Sequence, residues 1–346
     1  DNSNSRFGLG RVSIQPSSFF YDANAKLTYR LDNEDKISLS LYKGEDELDN
    51  SRVSSGSNAG RVGRGGQEFG FDRSTTDLSQ WGNTGLSAKY TKQWSGFFST
   101  DLVLSHSNYF RERERQVSTN IVFLDDQEIS DDDQTRTPGN NNSIDDNNLS
   151  DTTISVNSEL LLDGANRLGF GFQVTENNVD YLSVQGLDNV LVDSNQEAIT
   201  TSIFLQDEID VTDRLVVNAG MRLSYYDLVG DFYLEPRLSL SYSITDQANF
   251  KAAFGAYNQF ATRVVRQSAQ QGEQNFWIMA DGEDIKPSKA THYIIGLSYD
   301  IKNYRFDVEA YRKDYEGLTE FTQQFVADSD GTNRSLILDE KFFTGT

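Results

Sequence analysis

The sequence predicts an all-β chain, a wall of an antiparallel transmembrane β-barrel with about twelve strands. Three observations predict it. Apolar and polar residues alternate with period two through most of the chain, the mark of strands with one apolar and one polar side. The polar side carries charges in mid-strand as well as hydroxyls. Very short turns join the strands at one end, and mostly long polar loops join them at the other, an asymmetry of outer-membrane barrels that soluble sandwiches lack.

Ala198–Phe260 carries the pattern most clearly. Ile199, Ile203 and Leu205 oppose Thr200, Ser202, Gln206 and Glu208. Leu215, Val217, Ala219, Met221, Leu223 and Tyr225 oppose Asn218, Arg222 and Ser224. Leu234, Pro236, Leu238, Leu240 and Tyr242 oppose Glu235, Arg237, Ser239 and Ser241. The turns Val211–Arg214 and Thr245–Ala248 and a slightly longer link at Gly230 join these segments.

Before this stretch, Asp1–Ser18 reads as a loop with a short strand at Gly10–Gln15. Strands follow at Phe20–Leu31 and Ile37–Leu41, around the Asx-rich turn Asp32–Asp35. A polar stretch, 44–80, leads to strands at Gly82–Lys92 and Phe97–Phe110. A second, 111–150, leads to strands at Asp151–Leu162 and Arg167–Val184. After Phe260 a long loop runs to Lys289. Strands at Ala290–Ile301 and Tyr304–Glu320 flank the turn Lys302-Asn303. A last loop, 321–340, precedes a strand fragment at Lys341–Phe343. No helical period and no domain linker interrupts the pattern, so residues 1–346 form one barrel domain.

Composition agrees. The chain has 53 acidic and 31 basic residues, a formal charge of −22, which excludes a nucleic-acid partner because phosphate binding needs a basic footprint. There are 22 Phe and 16 Tyr but only 4 Pro, which suits long strands with aromatic ends. With no cysteine, disulfides and thiolate metal sites are excluded. No apolar run approaches the roughly 18 residues of a membrane helix, but barrel strands need only about 9–11 alternating residues.

Chemistry assigns the faces. Lys26, Arg30, Lys89, Asp101, Glu159, Glu208, Arg222, Glu235, Arg237, Lys251, Arg305, Asp307, Glu309 and Lys313 lie on the polar sides. An Arg or Lys facing mid-membrane hydrocarbon costs about 2–4 kcal/mol. The polar side therefore lines a watery or protein-filled interior, and Leu, Ile, Val, Phe and Ala face lipid.

Motifs then appear in a fixed order: Phe204-Leu-Gln-Asp-Glu208, Leu215 through Gly220-Met-Arg222, Glu235-Pro-Arg237, and Lys251…Gly255…Gln259. Ile285-Lys-Pro287, Ala290-Thr-His-Tyr293 and Gly296 follow, then Glu309–Tyr315. Phe20–Tyr42 supplies an earlier hairpin. Together these resemble the barrel of TonB-dependent outer-membrane receptors, over most of the chain.

The resemblance implies a barrel of about 22 strands with a plugged lumen, of which this chain holds the central part. A plug, an energy-coupling box and the aromatic C-terminal strand are expected to lie outside it. The implied function is import of an external ligand (iron chelate, vitamin, glycan or peptide), powered through a TonB-type energy-coupling protein. Implied partners are membrane lipid and lipopolysaccharide, the receptor's own plug domain and a surface lipoprotein. No catalysis or cofactor is implied. A passive porin-like channel and a barrel hydrolase are the alternatives.

Candidate site residues fall into three groups. Gln206, Glu208, Arg222, Glu235, Arg237 and Lys251 are expected on the lumen wall, as plug contacts or as charge pairs that fix register. Tyr109, Tyr257, Phe276 and Trp277, at loop bases, are ligand candidates; with Phe110, Tyr225, Tyr226 and Phe260 they also suit an interfacial girdle. Asp328, Asp330 and Asp339 faintly suggest a calcium loop, with its Gly at the wrong position, and Asp131–Asp133 and Asp145-Asp146 are weaker versions. For catalysis, the carboxylates Asp307 and Glu309 share one face, and Asp101 and Glu159 form a second candidate pair, as any acidic lumen provides. His106 is flanked by Ser105 and Ser107, but period two sends both to the other face.

Overall fold

The computed structural model describes residues 11–14, 16–31, 34–58, 68–124, 135–136, 141–162, 166–186, 189–268, 272–329 and 334–344. Every regular element among them is a strand. In chain order they are β1 (Arg11–Ile14), β2 (Ser17–Arg30), β3 (Lys36–Asp49), β4 (Arg52–Asn58), β5 (Glu68–Ser95) and β6 (Phe98–Leu124). Next come β7 (Thr135–Arg136), β8 (Asn141–Leu162), β9 (Asn166–Gln185), β10 (Asn189–Thr212), β11 (Leu215–Tyr226), β12 (Asp231–Ser243) and β13 (Ala248–Gln259). The rest are β14 (Ala261–Ser268), β15 (Gly272–Met279), β16 (Ser288–Ile301), β17 (Tyr304–Glu316), β18 (Thr319–Ser329) and β19 (Arg334–Thr344).

One antiparallel sheet forms the wall. Its long strands β2, β3, β5, β6, β8, β9, β10, β11, β12, β13, β16 and β17 are neighbours in chain order. These are the twelve that the alternation predicts. The strands β1, β4 and β7 extend the same sheet, while β14–β15 and β18–β19 are separate hairpins. Among the described residues β2 and β17 each have one bonded neighbour, so the wall is an open sheet with two edges.

The short connections gather at one end. Gly96-Phe97, Asp213-Arg214, Ile244–Gln247 and Lys302-Asn303 are tight turns, and Lys302 takes a left-handed conformation, φ 53°. At that end Asp35, 1% exposed, ties β3 to β5. Its carboxylate accepts from Lys92 Nζ (2.8 Å), Tyr90 OH (2.7 Å) and the Gln93 amide (3.1 Å). In outer-membrane barrels the short turns lie on the periplasmic side, so the far end is the outer mouth.

The polar stretches expected as loops are largely strand. The β5–β6 ladder runs from Ser95↔Phe98 to Glu68↔Leu124. At about 3.3 Å per residue its 28-residue strand is roughly 90 Å long, against about 25 Å for the apolar band of such barrels. The stretches 44–80, 111–150, 260–289 and 321–340 all contain strand residues. In 44–80 and 111–150 both faces are largely polar, so hydropathy shows little contrast although the backbone ladder continues.

Burial runs inside-out. On the outer face Leu205, Met221 and Leu234 are 55%, 51% and 55% exposed, while the inner-face Ser202, Ser224 and Glu235 are at 2%, 3% and 6%. A sheet that hides hydroxyls and a carboxylate while presenting leucines has hydrocarbon outside. The buried apolar cluster lies elsewhere, at the outer mouth. It joins Val264, Phe276, Ile278 and Met279 from the β14–β15 hairpin and its end to Val179, Tyr181, Ala198 and Tyr226 of the wall.

Candidate functional site

The motif residues fit one another on the inner face. Gln206 pairs in register with Gly169 and Gly220. A Cβ at Gly169 would sit 3.0 Å from Gln206 Cγ, and one at Gly220 would sit 3.0 Å from Gln206 Cβ. Phe204 covers Gly171 in the same way: a Cβ there would run into its ring and lie 2.5 Å from the Val156 carbonyl oxygen. The glycines exist so that two long side chains can lie flat across the neighbouring strands.

The lumen charges are mostly satisfied locally. Arg167 bridges Glu159 (3.6 Å) and Glu208 (3.9 Å) across three strands. Glu235 faces Arg222 in register, but its carboxylate bonds Arg237 (3.2 Å) and the Asn258 amide (2.8 Å). Arg222 instead reaches over β10 to Gln173 Oε1 (3.2 Å). Lys251, exposed, borders an inner hollow with Glu208, Asn218 and Asp307. Asp101 is held by Lys89 (2.6 Å) and Thr91 (2.6 Å), and Asp307 accepts from Ser298 (2.5 Å). His106 lies on the outer face against Thr152 Oγ1 (3.0 Å), while Ser107 donates to Asp151 on the inner face.

The aromatic candidates separate. Tyr257 lies lower on the inner wall, 5.1 Å from the His292 ring, with the Arg237 guanidinium 5.0 Å over it. The other three meet at the β14–β15 hairpin. Phe276 is 2% exposed and stacks on Tyr181 at 4.2 Å, which anchors the hairpin to the wall. Tyr226 and Phe260 stack at 4.4 Å in the same cluster. They belong to this core and not to a lipid girdle. Burial pushes the Tyr226 hydroxyl well above its ordinary pKa, with Asp227 adding to it. Tyr109 is raised by burial too, against Arg111 and Arg263. Trp277 pairs with Arg263 and is half-buried.

What holds the hairpin is a set of wall side chains bonded to its backbone. Arg111 Nη1 donates to the Asn275 carbonyl (3.2 Å). Asn147 Oδ1 accepts from the Trp277 amide (2.9 Å), and Gln196 Oε1 from the Met279 amide (2.9 Å). Tyr226 OH donates to the Ala280 carbonyl (3.0 Å). These come from β6, β8, β10 and β11 and substitute for a partner strand along the β15 edge, which would otherwise carry open polar groups. Nothing in hydropathy points to Asn147 or Gln196. Only the period-two parity of β8 and β10 places them inside.

Of the calcium candidates, Asp330 and Asp131–Asp133 lie outside the described residues. Asp328 pairs with Ser335 and Asp339 with Gln324, roughly 13 Å apart along the hairpin at about 3.3 Å per residue. Asp145 and Asp146 face opposite sides of β8; Asp145 accepts from Ser183 (2.7 Å). Among the described residues no group of three or more His, Asp or Glu is placed to hold a metal ion.

A polar inner face, an apolar outer face and strands rising far above the membrane define the wall of an outer-membrane β-barrel. The chain matches the family described as TonB dependent receptor-like, beta-barrel, over residues 8–340, and it belongs to that family. It is a protein of the outer membrane, and its family comprises transport receptors. A curated relative, the ferric enterobactin receptor of Pseudomonas aeruginosa, is 23% identical over 155 residues, 42% of this chain and 21% of the relative. A crystal structure of a mutant of that receptor superposes with a TM-score of 0.54 at 16% identity, covering 96% of this chain and 57% of the other. The siderophore receptor PirA of the same organism gives a TM-score of 0.44 at 12% identity, covering 96% and 61%. The chain thus spans little more than half of such receptors, and the superposition at 0.54 carries the fold alone.

Proposed function

We propose that the complete protein is an active-transport receptor that takes up an iron chelate across the outer membrane. One observation carries this reading: membership of the receptor-barrel family over residues 8–340, with a relative that is a ferric enterobactin receptor. The wall fits the role. Its inner face is lined by self-satisfied polar residues, suited to hold a plug domain without an apolar seal. At its mouth a hairpin docks on the inner face of the wall. In this reading a TonB-type protein supplies energy through the plug, and lipid and lipopolysaccharide surround the outer face. The reaction is movement, with no bond made or broken.

The test is growth and uptake. A strain lacking the gene is starved of iron and offered single ferric chelates, with ⁵⁵Fe accumulation followed. Loss of uptake of one chelate, restored by the complete gene only when TonB is present, is the expected result. Uptake that persists without TonB would favour the porin-like alternative. Unchanged uptake of every chelate would overturn the iron reading.

A further inference from the structure

β10 outlasts its neighbour on one side only, and the turn Asp227–Gly230 is the reason. Gly230 takes φ 78°, a left-handed conformation that a side chain would strain, and its amide donates to the Tyr226 carbonyl (2.9 Å). The chain reverses there, so β11 ends at Tyr226, opposite Thr200 of β10. β10 runs on to Asn189, roughly 35 Å further at about 3.3 Å per residue, paired with β9 alone. The wall thus drops by a step. Among the described residues no strand stands beside the β10 edge above it.

The ladder fixes which groups are open. In an antiparallel pair the N–H and C=O of one residue point to the same neighbour, and successive residues alternate. Ile199 points its pair toward β11. Its amide donates to Asp227 Oδ1 (2.7 Å), and its carbonyl accepts from the Asp227 amide (3.2 Å). The register with β9 is unbroken from Val192 to Ile209. By the same parity Glu197, Asn195 and Asp193 turn their N–H and C=O groups over the step, where no described group meets them. Proline, lysine and bulges commonly guard such an edge, and Val192–Ala198 contains none of them.

The outward side of this edge is acidic. Asp193 and Glu197 face outward and are exposed, with Glu176 and Asp180 of β9 beside them. Among the described residues none of the four has a cationic partner. Asp180 and Glu197 accept from the amides of Asn195 and Asn178. The one basic residue of β8, β9 and β10 is Arg167, at their other end. On the inner side Val192 packs on the mouth cluster, and so does Val229 in the turn below. A second copy paired about Asn195 would set Asp193 against Glu197, and like charges directly opposite destabilise a ladder. A lipid phosphate meets the same repulsion.

We propose that this step is a docking site for another protein, which adds an extended basic segment to Val192–Ala198 as one more antiparallel strand. Its Lys or Arg residues lie outward against Asp193 and Glu197. Apolar residues alternate with them on the inner side, beside Val192 and above Val229. Main-chain bonds give strand addition its affinity, and alternate side chains give it selectivity. The site goes beyond the uptake reading and does not depend on which cargo the receptor takes.

The probe is a fluorescent synthetic peptide alternating Lys and Val, titrated by anisotropy against the complete protein in detergent. Binding is expected. N-methylation of the lysine amides keeps the charge and removes the ladder donors, and should weaken binding about tenfold. Glu in place of Lys should abolish it. On the protein, Asn195→Pro removes an open N–H and leaves the β9 pairing in place, as an edge proline can; it should weaken binding about tenfold. Asn195→Ala, which loses only the side-chain bond to Asp180, should bind as the parent does. Asp193→Asn with Glu197→Gln should weaken binding about tenfold and flatten its salt dependence. The heat-resistant band on a gel reports folding of each variant. If Asn195→Pro does not fold, the methylated peptide and the charge variant still decide. No binding, equal binding of the methylated peptide, or a charge variant that binds unchanged overturns the proposal. Dimers in sedimentation that Asn195→Pro dissolves would assign the edge to a second copy and overturn it too.

Discussion

At the scale of single residues, the inner face is shaped by where a side chain is missing. Gly171 lies beneath the Phe204 ring with a backbone oxygen of Val156 where its Cβ would go, and that oxygen cannot rotate away. At Gly220 the nearest atom is Gln206 Cβ at 3.0 Å, with the Leu205 carbonyl oxygen at 3.4 Å, a milder overlap that a small backbone shift relieves. Gly171→Ala should therefore destabilise the barrel by about 1–3 kcal/mol as an overpacking change, and Gly220→Ala by less. Urea unfolding from lipid vesicles ranks the two, and the opposite order would count against this account. Asp146 makes a pH prediction. On the outer side of β8, its pKa is raised by burial, with Asp180 adding to it. The folded protein thus holds that proton to higher pH than the unfolded chain. Its contribution is most favourable at low pH and declines as pH rises from 3.8 through the folded pKa. Asp146→Asn should remove that decline, read as a flatter profile of unfolding midpoint against pH above 3.8.

At the scale of elements, the hairpin β14–β15 and the extended strands differ most from the sequence reading. Membrane strands were legible because lipid outside and polar contacts inside give alternate residues opposite chemistry, as in Leu205-Gln206. The strand at Arg111–Val117 was not, since both of its faces are polar and hydropathy loses its contrast. Its charges still alternate, Arg inward and Glu outward, and that was the available signal. Phe276 shows a related effect. An aromatic in a polar stretch suggests a ligand contact, whereas here it is the anchor of a folded-in hairpin. Asn147 is a direct test of the docking. Asn147→Ala removes the acceptor for the Trp277 amide and should speed hydrogen exchange there about 5- to 150-fold, a loss of about 1–3 kcal/mol for a buried unsatisfied group. Exchange at Lys251 and Gly255, in the β13 ladder, should not change.

At the scale of the whole molecule, two solvents act on one sheet. Its apolar side chains are exposed by design, because lipid and not protein covers them. The register supplies a controlled comparison in adjacent residues. Leu205→Arg puts a guanidinium against hydrocarbon and should cost about 2–4 kcal/mol. Gln206→Lys, one residue along and facing in, should cost under about 1 kcal/mol, as expected of an exposed inner-face cation. Refolding of the complete protein into bilayers, scored by its heat-resistant band on a gel, measures both. Equal effects would mean that the faces are assigned the wrong way round.

The side chains that grip β15 belong to four separate wall strands, so the hairpin is not a self-contained part. Grafting residues 261–279 onto another receptor barrel would move the sequence without its sockets. A chimera keeps this conformation only if Arg111, Asn147, Gln196 and Tyr226 travel with it. Exchange of mouths between relatives therefore has a natural unit, the upper halves of β6, β8, β10 and β11 together with the hairpin they hold.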